Sequence, residues 1–86
     1  MEKAILFSLE KCAKCTQTKQ LLQPVKDIDF VTFPHHMDHW NRDQRELAES
    51  YGVLEDLQLT APILWIDGKK YIGYLRIRKW IQDRNR

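Results

Sequence analysis

The residues best suited to chemistry are Cys12 and Cys15, the two thiols of a chain of 86 residues, spaced as Cys12-Ala13-Lys14-Cys15. Bonded to each other they close a loop too short to stabilise a whole chain, so their value is chemical rather than architectural. A helix starting here brings its unpaired N–H groups and its dipole to Cys12, favouring an anion and pulling that thiol below the free value of about 8.5. Lys11 and Lys14 add positive charge beside it. The thiolate is the nucleophile of disulfide exchange. Cys15 falls one helical turn later on the same side, more buried, where it can attack a mixed disulfide on Cys12 and release a reduced product. The spacing predicts a two-step dithiol–disulfide cycle.

A Cys-x-x-Cys pair also supplies half of many zinc sites. His35, His36 and His39 follow Pro34, and His35-x-x-x-His39 has legitimate ligand spacing. A structural zinc module built on Cys12, Cys15, His35 and His39 is therefore a second reading. Against it, the gap from Cys15 to His35 holds a predicted helix and a whole strand, far longer than a compact finger loop. The plainer reading of the three histidines is a polar loop opposite the site.

The cysteines need elements to position them. Ala4-Ile5-Leu6-Phe7 shows no polar alternation, as in a strand covered on both faces, and predicts a central strand over residues 4–8. Thr18, Leu21, Leu22 and Val25 then repeat with helical spacing, so a helix starts at the cysteines and Pro24 marks its last turn. Ile28 to Phe33 is β-branched and aromatic and ends at Pro34, a second strand. Trp40, Leu47, Ala48 and Tyr51 share one helical side ahead of Gly52, predicting a helix over residues 41–51. A linker follows. The apolar run from Pro62 to Ile66, Asp67-Gly68 and then Lys69 to Ile72 read as a β-hairpin. Past Gly73, the spacing of Ile77, Trp80 and Ile81 predicts a last helix running towards Arg84, with Arg84 and Arg86 near its negative pole. The first βαβ unit makes its two strands parallel by a right-handed crossover, and the hairpin is antiparallel.

Composition sets limits on function. The net charge is +2 and 43% of residues are hydrophobic, which excludes a disordered chain and a protein coating nucleic acid. No stretch reads as a signal peptide or a membrane span, and two cysteines are too few for a secreted disulfide scaffold, so a reducing cytoplasm is expected. Charge is uneven: residues 38–56 carry six acids and two bases, residues 69–86 seven bases and one acid. The basic stretch reads as a solvated face or as a surface steering an acidic reductase or client, with Trp80 in the core.

Three features together resemble the glutaredoxin branch of the thioredoxin-fold family over nearly the whole chain. These are Cys12-Ala13-Lys14-Cys15 after the first strand, Thr60-Ala61-Pro62 opening the hairpin, and Gly73 before the last helix. The resemblance implies an α/β, thioredoxin-like fold. Its four-stranded mixed sheet, in the order β-α-β-α-β-β-α, is flanked by helices on both faces within one domain spanning residues 1–86. It implies a thiol-disulfide oxidoreductase in which Cys12 attacks and Cys15 resolves. Pro62 is expected to be cis and to face the sulfurs, leaving Ala61 free to pair with the backbone of a bound thiol peptide. Lys11, Lys14, Thr60, Ala61, Pro62, Gly73 and Tyr74 would then form the substrate surface.

Two departures from the glutaredoxin pattern stand out. Cys-Ala-Lys-Cys replaces Cys-Pro-Tyr-Cys, and Tyr74-Leu75-Arg76 replaces a second glycine and an acid, removing a helix N-terminus suited to the carboxylate of glutathione. The run Cys15-Thr16-Gln17-Thr18-Lys19, with Leu22 behind it, is similar to NrdH-type redoxins, which are reduced by thioredoxin reductase and supply ribonucleotide reductase. What this implies is a monomer without bound cofactor. It takes electrons from NADPH through thioredoxin reductase, or from glutathione, and passes them to a disulfide-containing client such as ribonucleotide reductase, with no nucleic-acid or membrane partner. A third reading is a thioredoxin-fold interaction protein whose cysteines are incidental.

Overall fold

The computed structural model describes residues 4–25 and 27–84. Strand β1, Ala4–Leu9, lies inside the sheet and is buried from Ala4 to Ser8, which is why its sequence shows no alternation. Helix α1, Ala13–Leu22, follows directly and returns the chain to β2, Ile28–Phe33, parallel to β1 with Ala4 opposite Ile28 and Leu9 opposite Phe33. Strand β3, Ile63–Ile66, pairs antiparallel with the other side of β1, placing Phe7 opposite Ile63. The hairpin closes on β4, Lys69–Ile72, and the sheet order is β2-β1-β3-β4. Both hairpin residues take left-handed φ, +44° at Asp67 and +89° at Gly68, as a two-residue turn matched to strand twist requires.

The period-two alternation of β1 and β3 sorts their side chains onto two faces. Ile5, Phe7 and Ile63 join Phe33, Trp40, Ala48, Val53 and Leu57 in one core. Ala4, Leu6, Leu64 and Ile66 meet Leu22, Ile77 and Ile81 in the other. The first core is covered by α2, Arg42–Ser50, and α3, Leu54–Leu59. The second lies under α1 and α4, Tyr74–Arg84. Helices thus flank both faces of a mixed sheet.

Several expectations are corrected. The stretch between α2 and β3 is not a plain linker, since it contains α3 with Leu57 buried in the first core. A 3₁₀ turn, Met37–His39, precedes α2. Trp40 is outside α2, which starts at Arg42 behind a capping box between Asn41 and Gln44. Trp40 still reaches the core by stacking on Phe33 at 4.4 Å while its indole N–H donates to the Pro34 carbonyl at 2.8 Å. Leu47, placed by periodicity on the buried side of that helix, is 37% exposed. Helix α1 ends at Leu22, before Pro24, and Trp80 is only half-buried, with the Arg84 guanidinium 5.2 Å from its ring centroid. Arg86 lies outside the described residues.

Candidate active site

Cys12 is the residue that opens α1. Its extended backbone, φ −119°, places its sulfur to accept the Cys15 N–H at 3.1 Å, so the thiol acts as the helix N-cap. Lys11, at φ +55°, makes the sharp reversal between the strand end and that cap. Glu10 holds the loop from the other side, its N–H donating to the Phe33 carbonyl at 2.9 Å. The two sulfurs are bonded to each other, with Cα atoms 5.2 Å apart. Cys12 is half-buried and Cys15 only 1% exposed. The sulfur of Cys15 accepts the Leu9 N–H at 3.5 Å, so each sulfur faces one backbone donor. Thr18, fully buried one turn further on, satisfies its hydroxyl on the Lys14 carbonyl at 2.7 Å.

Other chain segments meet Lys14, which lies between the two cysteines in sequence, along one groove. The Ala61-Pro62 peptide is cis. Pro62 is buried and its carbonyl accepts the Gly73 N–H at 2.9 Å, tying the start of β3 to the start of α4. Gly73 has φ +93°, and a side chain there would meet the Thr60 methyl group. Between these segments and α1 runs an open groove of about 420 Å³, lined by Lys14, Thr60, Ala61, Ile72, Gly73, Tyr74, Leu75 and Arg76. The Lys14 amine sits 5.2 Å from the centroid of the Tyr74 ring, within the range of a cation–π contact. Neither the N–H nor the C=O of Ala61 bonds to another described residue.

The surface residues expected from the sequence therefore sit as follows. Lys14, Thr60, Ala61, Gly73 and Tyr74 line the groove, Pro62 is buried and does not line it, and Lys11 is exposed on the loop before Cys12 without lining it. Sequence reasoning missed Ile72, Leu75 and Arg76 as lining residues. Arg76 did stand in the basic stretch and Leu75 in the departure from the glycine pattern, and these were the signals available.

The histidines are not opposite the site. His35 Nδ1–H donates to the Glu10 carbonyl at 3.1 Å, two residues from Cys12, and edge-to-face contacts link its ring to His36 and that of His36 to His39. Among the described residues no group of three or more His, Cys, Asp or Glu is gathered to hold a metal. The zinc reading of Cys12, Cys15, His35 and His39 finds no support in this geometry. No helix among the described residues is long and apolar enough to cross a membrane.

No protein-family model matches the chain, and no curated protein matches it in sequence. Glutaredoxin 1 from Francisella tularensis, crystallised in complex with cacodylate, superposes over 100% of both chains with a TM-score of 0.59 and 15% sequence identity. The fold is that of a glutaredoxin. It is a thioredoxin-type fold recovered over the full length at an identity too low for sequence comparison. What the two chains share is the arrangement of elements.

Proposed function

We propose that the protein is a dithiol–disulfide oxidoreductase that reduces protein disulfides. One observation carries this: the sulfurs of half-buried Cys12 and buried Cys15 meet at the N-terminus of α1, where Lys14 joins a groove whose Ala61 backbone bonds to no described residue. In the reduced protein the Cys12 thiolate, favoured by the Cys15 N–H and the helix N-terminus, attacks one sulfur of the client disulfide. A Cys12–client S–S bond forms, the client S–S bond breaks, and the departing client thiolate takes up a proton. The Cys15 thiolate then attacks the Cys12 sulfur. The Cys12–Cys15 bond forms, the mixed disulfide breaks, and the second client thiol leaves. Two electrons have passed from the pair to the client, and the state in the structure is the oxidised product.

The pair must then be reduced again. A dithiol flavoprotein of the thioredoxin reductase type, supplied by NADPH, is the donor we favour over glutathione. Tyr74 and Leu75 line the groove just after Gly73, where the glutaredoxin pattern has glycine. The Cys15 to Lys19 similarity supports the same donor, and ribonucleotide reductase is the client that this similarity suggests.

The test is reduction of 2-hydroxyethyl disulfide by the pure protein, supplied with NADPH plus thioredoxin reductase or with NADPH, glutathione and glutathione reductase. Turnover with the first donor is expected. Cys15→Ser should accumulate a mixed disulfide on Cys12 visible by mass spectrometry, and Cys12→Ser should form none. Turnover by the folded parent that is no faster with either donor than that of the double serine variant would overturn the reading in favour of an interaction protein.

A further inference from the structure

We propose that the groove selects protein disulfides whose cysteine is flanked by acidic and aliphatic residues. The inference rests on the oxidoreductase reading above and names its substrate class. Two cations, Lys14 and Arg76, line the groove, and among the described residues no acid does. Both are exposed, and Arg78 and Lys79 follow on the exposed side of α4. The acids of the chain are concentrated in residues 38–56, mostly on α2 and α3, the helices that cover the opposite face of the sheet.

The apolar component is equally local. Four large hydrophobic side chains are exposed among the described residues, and Leu75, 73% exposed, lines the groove. Leu59, 86% exposed, immediately precedes Thr60 on the other rim. Gly73 and Thr60 bring the two rims close, since the Thr60 methyl group would stand 3.5 Å from a Cβ at Gly73. The unpaired N–H and C=O of Ala61 lie between them and can bind an extended client segment by main chain. In an extended segment alternate side chains point to opposite sides. Residues flanking the client cysteine on either side therefore meet the leucines and the cations that the rims present. A wholly apolar client would offer Lys14 and Arg76 no opposite charge, and a basic one would be repelled by them.

The experiment compares the second-order rates at which the reduced protein exchanges with disulfide peptides of equal length. One carries acidic and leucine flanks, one basic and leucine flanks, and one acidic and serine flanks. At low ionic strength the acidic leucine peptide should react about tenfold faster than the basic one, shrinking to about twofold in molar salt as the charges are screened. Replacing its leucines by serine should slow it about threefold. Arg76→Glu should reverse the acidic-to-basic preference. Lys69→Glu, the same charge change on the exposed hairpin strand, should leave the preference as it is. An acidic-to-basic ratio near one in the parent, or an equal shift of that ratio in Arg76→Glu and Lys69→Glu, overturns the proposal. Failure of 2-hydroxyethyl disulfide to react at all would instead remove the oxidoreductase reading on which it rests.

Discussion

Reducing the Cys12–Cys15 bond is the perturbation that separates a chemical disulfide from a structural one. The closed loop runs from residue 12 to residue 15, a separation of three. In the chain-entropy treatment a loop this small restrains the unfolded state by at most about 2 kcal/mol. Nothing in the two cores depends on the bond. Leu6, Phe7, Leu22, Ile63 and Leu64 are fully buried by contacts that the sulfurs do not mediate. The N–H donors of Leu9 and Cys15 remain in place for the separated thiols. The reduced protein should therefore stay folded, losing no more than about 2 kcal/mol, or roughly 8–16 °C in Tm for a domain of this size. Guanidinium unfolding of the oxidised and fully reduced protein, followed by tryptophan fluorescence, measures the difference directly. The slope with denaturant should be the same in both states, because the same surface is exposed on unfolding. A reduced chain without a cooperative transition, or a loss above about 4 kcal/mol, would refute the argument and make the bond a staple.

Two further outcomes concern the rim of the site. Lys14→Glu should slow alkylation of reduced Cys12 by iodoacetamide about three- to tenfold at low ionic strength and less in high salt, because a cation beside the thiolate becomes an anion; an unchanged rate removes Lys14 from any part in activating the thiol. Gly73→Ala should cost about 1–2 kcal/mol by denaturant unfolding from its φ of +93° alone, since the added carbon meets the Thr60 methyl group at an ordinary 3.5 Å, and a loss several times larger would mean that the rims are packed more tightly than this.

The elements that hold the cysteines were legible because each rests on a strong local signal. The short unbroken apolar run of β1, stopped at Ser8, reads as a strand covered on both sides, and Asp67-Gly68 supplies the two left-handed positions that the hairpin needs. The part that escaped has mixed or short-range signals. Helix α3 has six residues, Leu-Glu-Asp-Leu-Gln-Leu, and Val53 ahead of it offers no side-chain cap, so no start signal marks it. Its last leucine points to solvent, which blurs the periodicity further. Trp40 has helical spacing from Leu47 and Ala48 but is held by its own stacking and hydrogen bond, which no periodic pattern encodes. The groove was half legible for a related reason. Thr60, Ala61 and Gly73 stand next to turn signals, whereas Ile72, Leu75 and Arg76 join the wall only through the hairpin register and the rotation of α4.

The sheet divides the interior into two cores that share no residue. It works as a bulkhead. The cysteines, Lys14 and the start of α4 belong to the elements on one side, and α2 with most of α3 to the other. The groove bridges the partition, since Ala61 and Ile72 line it while packing against the core beneath α2 and α3. Exposed positions of residues 42–50 are thus separated from the sulfurs by the whole thickness of the sheet.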